Sequence, residues 1–229
     1  MRLPIRRPEP LLLGMALLAA IGLWLFIAVA EEVSEGETGA LDRAILLAMR
    51  DPANLQQAVG PAWLDQAARD ITALGSTSVL SLLVLLVVLF LWLLGRRGMA
   101  LYVLVSTSVG AGLSFLLKAL FQRPRPDLFP HGDTVLTASF PSGHAMISTL
   151  VYLTLGVLLA RLLTERRLEI FVVLSAMLVA LLVGLSRIYL GVHWPTDVLA
   201  GWAGGASWAL LCWTLAMWVW PGFGLRSGR

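Results

Sequence analysis

The stretch SRIYLGVHWPTD, residues Ser186 to Asp197, places an arginine, a histidine and an aspartate between two long apolar runs. Ionisable groups at such a seam are costly beside lipid, so they mark functional positions when they occur. Two more segments of this kind stand earlier in the chain. LLKALFQRPRPDLFPHGD carries Lys118, Arg123, Arg125 and Asp127, and SFPSGHA carries Ser142, Gly143 and His144. Lys118, Arg125 and Arg187 are three cations able to hold a dianionic phosphoryl group from several directions. Pro141-Ser142-Gly143 leads into a helix with Ser142 or Gly143 near its N-cap, where free amides favour an anion. Pro195 suits a first helical turn, which puts His193 just before that helix and Asp197 within its first turn. At this spacing the carboxylate can accept from one imidazole nitrogen and leave the other as a nucleophile. His144, on a separate loop, can then serve as acid and afterwards as base. The set amounts to a phosphoryl-transfer constellation that requires no metal.

Each residue also has a plainer reading when taken singly. Lys118 and Arg123 sit where snorkelling anchors sit. Asp197 suits any helix N-terminus, and His131 reads as polar loop surface. Gly201, Gly204 and Gly205 read as close-packing positions. Trp194, Trp202, Trp218 and Trp220 read as interface-belt or packing residues. The conjunction favours chemistry, because two of the chain's three histidines, His144 and His193, stand beside the capping and charged groups of these clusters.

The elements that must position the clusters are membrane spans. Of 229 residues, 58% are hydrophobic and only 14% charged, and the mean hydropathy is +0.82. Apolar runs of this length predict an all-α integral membrane protein, a single six-transmembrane-helix bundle over 1–229. The spans fall at roughly 11–30, 76–94, 99–121, 145–163, 168–185 and 198–220. Arg2, Arg6, Arg7, Arg96, Arg97, Arg166, Arg167, Arg226 and Arg229 then share one side. That side is expected to be cytoplasmic, with both termini on it. Arginines, an apolar run and Ala28-Val29-Ala30 also fit a signal peptide. The run exceeds the usual core of about 7–15 residues, so an uncleaved span is expected. In the outer segment 31–75, Leu41, Ile45 and Met49 recur at helical spacing, as do Trp63, Ala67, Ile71 and Leu74. Short amphipathic helices on the outer leaflet fit this pattern, and so does a loop packed on the bundle end.

Composition also excludes classes. Cys212 is the single cysteine, so neither an intrachain disulfide nor a cysteine metal cluster can form. No Gly-rich phosphate loop, dinucleotide fingerprint or basic-aromatic tract occurs, so no nucleotide cofactor or nucleic-acid partner is expected.

The three clusters resemble the signature motifs of the type 2 phosphatidic acid phosphatase superfamily, which also includes vanadium haloperoxidases. Its first motif, Lys, six residues, Arg-Pro, is matched by Lys118 through Arg125-Pro126. Pro-Ser-Gly-His is matched by Pro141-Ser142-Gly143-His144. Ser-Arg, a gap, His, three residues and Asp are matched by Ser186-Arg187, His193 and Asp197. The hydrophobic spans point to the integral-membrane branch rather than to the soluble haloperoxidases. The resemblance implies that His193 forms a phosphohistidine, that Asp197 orients its ring, and that His144 protonates the leaving oxygen and then activates water. It further implies that Lys118, Arg125 and Arg187 bind the phosphoryl oxygens with Ser142 and the amides of Ser142 and Gly143, with no metal or cofactor.

The expected activity is therefore metal-independent hydrolysis of phosphorylated or diphosphorylated lipids by an inner-membrane protein with its site on the extracytoplasmic face. Undecaprenyl diphosphate and phosphatidylglycerol phosphate lead as substrates, ahead of lipid A 1-phosphate and phosphatidate. A phosphotransferase using the same intermediate, and a non-enzymatic anion transporter, stand as the alternatives. Oligomeric state leaves no trace in the sequence.

Overall fold

In hydrocarbon every backbone N–H and C=O must be satisfied within its own segment, so the long apolar runs fold as helices. The computed structural model describes residues 10–128 and 137–220. The elements in chain order are α1 (Pro10–Glu35), α2 (Gly39–Ala48), β1 (Arg50–Asp51), β2 (Asn54–Ala58), α3 (Ala62–Ala73) and α4 (Thr77–Leu93). They continue with α5 (Arg97–Phe121), α6 (Gly143–Ala160), α7 (Arg166–Tyr189) and α8 (Pro195–Val219). Helices α1, α5, α6, α7 and α8 are each long and apolar enough to cross a membrane. The 17 residues of α4 span about 25 Å, short of a hydrocarbon core about 30 Å thick. A sixth span is completed when α3 and α4, bent by 45° at their junction, are taken together.

Local signals set the ends. Ser76 caps α4 by accepting from the Val79 amide at 3.3 Å, and Ser142 caps α6 through the Ala145 amide at 3.5 Å. Helix α5 closes on Gln122 in the left-handed region, φ 46°, two residues before Pro124 bars its continuation. Pro195 opens α8 at its first position.

The expectation of helices alone is amended in the segment between α1 and α4. Alongside α2 and α3 it holds an antiparallel hairpin, with Arg50 paired to Ala58 and Asp51 to Asn54. Arg50 ties this hairpin to the bundle by donating to the Tyr189 carbonyl at 2.9 Å. In α2 the buried residues are Asp42 and Leu46, whereas Leu41 faces out, as does Trp63 on α3. The arginines at 2, 6, 7, 226 and 229, and His131, lie outside the described residues.

Helices α6 and α8 are the most enclosed spans, and α8 packs between α1 and α6. Small residues permit the approach. A Cβ on Gly205 would lie 2.4 Å from the Met146 carbonyl oxygen, and one on Gly201 would lie 2.8 Å from that of Ser142. Both obstacles are backbone, so the helices themselves must part. Gly205→Leu is therefore expected to lower the thermal midpoint of the detergent-solubilised protein by about 5–10 °C. A midpoint unchanged from wild type would show that the α6–α8 contact is looser than drawn.

Candidate active site

Four helix ends meet at one end of the bundle: the C-termini of α5 and α7 and the N-termini of α6 and α8. They surround a cavity of about 390 Å³ whose lining includes Lys118, Arg125, Gly143, His144, Arg187 and His193. Three motifs separated in the chain thus share one space. The bend between α3 and α4 closes another side with Thr72, Gly75, Ser76 and Thr77.

His193 is 1% exposed and sits two residues before α8. Its Nε2 lies 3.2 Å from Arg125 Nη1. A guanidinium can only donate, so Nε2 must accept there and the proton is assigned to Nδ1. Nδ1–H then points to Asp197 Oδ2 at 3.4 Å and to Ser139 Oγ at 3.3 Å. Burial holds the imidazole well below its usual range, at about 3, with Arg125 and Lys118 reinforcing the effect and Asp197 opposing it. The ring is consequently neutral at pH 7, with the single lone pair of Nε2 on the cavity side, where it accepts from Arg125.

The cations are held, not splayed. Lys118 Nζ donates to the carbonyls of Ala138 at 2.8 Å and Ser139 at 3.3 Å, which leaves one of its three N–H bonds for a ligand. Arg125 is clamped by the Thr137 carbonyl at 2.9 Å and the Val192 carbonyl at 2.7 Å. Arg187 donates to Thr72 Oγ1 at 2.9 Å. Gly143 lines the cavity close against Lys118: a Cβ there would lie 3.3 Å from Lys118 Cε. Ser142 is fully buried behind it, with its amide donating to the Asp197 carbonyl at 2.9 Å. That donor is therefore engaged in joining α6 to α8. Asp127 is exposed and away from these contacts.

Asp197 is fully buried and richly partnered. Its Oδ2 accepts from the Trp194 amide at 3.0 Å and from the Ser139 hydroxyl, and its Oδ1 accepts from Arg123 Nη1 at 2.7 Å. Arg123, which sequence alone leaves as a snorkelling anchor, reaches further. Its Nη2 meets Asp42 Oδ2 at 2.7 Å and Thr38 Oγ1 at 3.1 Å. Ser139, Thr196 and Asp42 had no spacing signal to single them out. The only available hint was that Arg123 belongs to the same RPRP run as Arg125.

A neutral imidazole backed by a carboxylate, facing three cations and a second histidine inside a membrane bundle, is an arrangement suited to phosphoryl transfer. Residues 99–221 match the PAP2 superfamily. The chain belongs to that superfamily and is a membrane phosphatase. Phosphatidylglycerophosphatase B of Bacillus subtilis (strain 168) is 33% identical over 148 residues, covering 62% of this chain and 70% of that protein. An undecaprenyl-diphosphatase of Sulfolobus acidocaldarius is 44% identical over 70 residues, which cover 31% of this chain and 29% of that one. The crystal structure of a transmembrane PAP2 type phosphatidylglycerolphosphate phosphatase from Bacillus subtilis matches with TM-score 0.77 and 26% identity, over 92% of this chain and 98% of that one. Membership in a phosphatase family decides between enzyme and transporter in favour of enzyme.

Proposed function

We propose that this enzyme removes phosphate from a membrane lipid monophosphate or diphosphate through a phosphohistidine at His193. The observation that carries the reading is the continuity of two cavities. A groove of about 300 Å³, lined by apolar residues of α4, α5 and α6 such as Leu80, Val84 and Leu104, shares Thr77, Phe115 and Ile147 with the cationic cavity. One ligand with a phosphate head and an apolar tail fits both. The relatives named above act on phosphatidylglycerol phosphate and undecaprenyl diphosphate, and these are the leading substrates.

In the first step Nε2 of His193 attacks phosphorus while the bond from phosphorus to the lipid oxygen breaks. His144 gives its proton to that oxygen, and Asp197 holds Nδ1–H and stabilises the charge the ring acquires. In the second step His144 takes a proton from water, the water oxygen attacks phosphorus, and the bond from Nε2 to phosphorus breaks to release inorganic phosphate. Lys118, Arg125, Arg187 and the Gly143 amide bind the phosphoryl oxygens throughout, with Ser142 fixing the helix start that aims the amide. Arg96, Arg97, Arg166 and Arg167 sit at the α4–α5 and α6–α7 junctions, opposite the cavity. This asymmetry supports a cytoplasmic location for that end and an extracytoplasmic location for the site. The exposed faces of Leu41 and Trp63 suit contact with the outer leaflet.

The test is phosphate release by purified protein in detergent with EDTA present, using phosphatidylglycerol phosphate, undecaprenyl diphosphate and glycerol 3-phosphate. Tail binding in the groove is expected to raise kcat/KM for one of the lipids at least about 100-fold over glycerol 3-phosphate. Equal values would remove the lipid reading. Phosphate appearing on an added acceptor lipid, in place of free phosphate, would identify a transferase.

A further inference from the structure

Asp42 belongs to α2, outside the three motifs, yet its carboxylate is fully buried against the start of α8. It accepts from the Thr196 amide at 3.0 Å and the Thr196 hydroxyl at 2.6 Å, both at the start of α8. It also pairs with Arg123 at 2.7 Å, and Arg123 pairs with Asp197 at 2.7 Å. The result is an ordered row of groups: Asp42, Arg123, Asp197, His193.

The charges in this row decide what reaches the imidazole. Asp197 alone carries one negative charge toward His193. Arg123 by itself would cancel it, leaving an ion pair with little net field at the ring. Asp42 restores the balance to a single net negative charge. That charge is needed when Nε2 bonds to phosphorus, because the ring retains its Nδ1 proton and becomes cationic. The row also fixes orientation. Arg123 is gripped by Asp42 and Thr38 on Nη2, so its Nη1 takes Oδ1 of Asp197 and the Thr196 hydroxyl and does not compete for Oδ2, which faces His193 Nδ1 alongside Ser139 and the Trp194 amide.

We propose that Asp42 is a positioning residue for catalysis, acting through Arg123 to keep Asp197 anionic in effect and correctly turned toward His193. The inference rests on His193 being the nucleophile. It assigns to the segment between α1 and α4 a direct share in the chemistry, which a role as a membrane-surface or packing element would not require. Asp42 acts on the charge of the reaction intermediate and touches no phosphate ligand. Its loss should therefore slow turnover without weakening substrate binding.

The test measures kcat and KM for phosphatidylglycerol phosphate in detergent micelles with Asp42→Asn, Arg123→Lys, Asp197→Asn and Asp42→Asn/Asp197→Asn. Asparagine is isosteric but uncharged, and a single ammonium cannot fork between two carboxylates as guanidinium does. Asp42→Asn and Arg123→Lys are each expected to lower kcat by about tenfold to a hundredfold with KM within about twofold of wild type. In the Asp197→Asn background, Asp42→Asn is expected to cost less than about threefold more, since its route to the imidazole is already lost. Arg123→Lys decides the matter by itself if Asp42→Asn does not yield folded protein. A kcat within twofold of wild type, a KM rising in step with the fall in kcat, or full additivity with Asp197→Asn would each overturn the proposal. Wild-type phosphate release and its loss in His193→Ala are measured alongside. A failure of the phosphohistidine reading shows in those two, whereas a failure of the Asp42 role shows with both intact.

Discussion

His193→Ala is expected to reduce phosphate release by at least about 10⁴-fold, equivalent to roughly 5.5 kcal/mol of barrier at 1.36 kcal/mol per decade. The size follows from what the ring does. Its Nε2 carries the ring's one lone pair on the cavity side, where the Arg125 guanidinium donates to it and can turn to a phosphoryl oxygen instead, while Asp197 and Ser139 hold Nδ1. Without it, water must attack the phosphorus directly, although the cations still bind the substrate. KM should therefore change much less than kcat. Asp197→Asn supplies the contrast. It keeps the nucleophile but removes the charge behind it, so activity is impaired and not abolished. The measurement is steady-state phosphate release by purified variants whose helical content and gel-filtration profile match wild type. Full turnover by His193→Ala would show that the nucleophile lies elsewhere.

His144→Ala is expected to lower kcat on lipid substrates by about 10²–10⁴-fold, the usual worth of a positioned acid and base. Its more telling consequence depends on the leaving group. His144 lines the cavity beside His193, Gly143 and Lys118, and the proposed mechanism uses it twice. An alkoxide leaving group needs the proton in the first step. A phenolate of low basicity does not, whereas the water of the second step still needs a base. With an aryl phosphate, His144→Ala should therefore form the phosphoenzyme and fail to discharge it. Incubation with ³²P-labelled aryl phosphate followed by quenching should leave label on the protein, stable to alkali and labile to acid as a phosphorus–nitrogen bond is. Wild type should retain little label. Label absent from both, with turnover unimpaired in the variant, would remove His144 from the second step. Label present in His144→Ala and absent from His144→Ala/His193→Ala would locate the bond.

Much of this protein is legible one segment at a time. Bilayer thickness sets the length of an apolar run, so hydropathy alone marks the spans, although the run read as 76–94 folds as the 17-residue α4 and completes a span with its neighbour α3. The chemistry of each motif is local too. Three residues separate His193 from Asp197 across a helix start, and Ser142 caps the helix that Gly143 opens. Such geometry follows from backbone periodicity and needs no knowledge of the rest of the chain. The convergence of three loops on one face follows from the alternation of spans.

What the sequence leaves dark are contacts made across long separations, where no period links one segment to another. Arg123 meets Asp42 across 81 residues, Arg187 meets Thr72 across 115, and Ser139 meets Asp197 across 58. The hairpin between α2 and α3 was equally hidden, because NLQQA carries no alternation of apolar and polar residues to announce a strand. Taken from sequence, Arg123 is one more cation at a span end and Asp42 one more acid in an acidic loop. Tertiary packing buries Asp42 fully and most of Arg123, and burial drives each charge to find a partner. The sequence by itself determined which residues are candidates to touch a phosphoryl group; only the folded bundle decided which charges stand behind them.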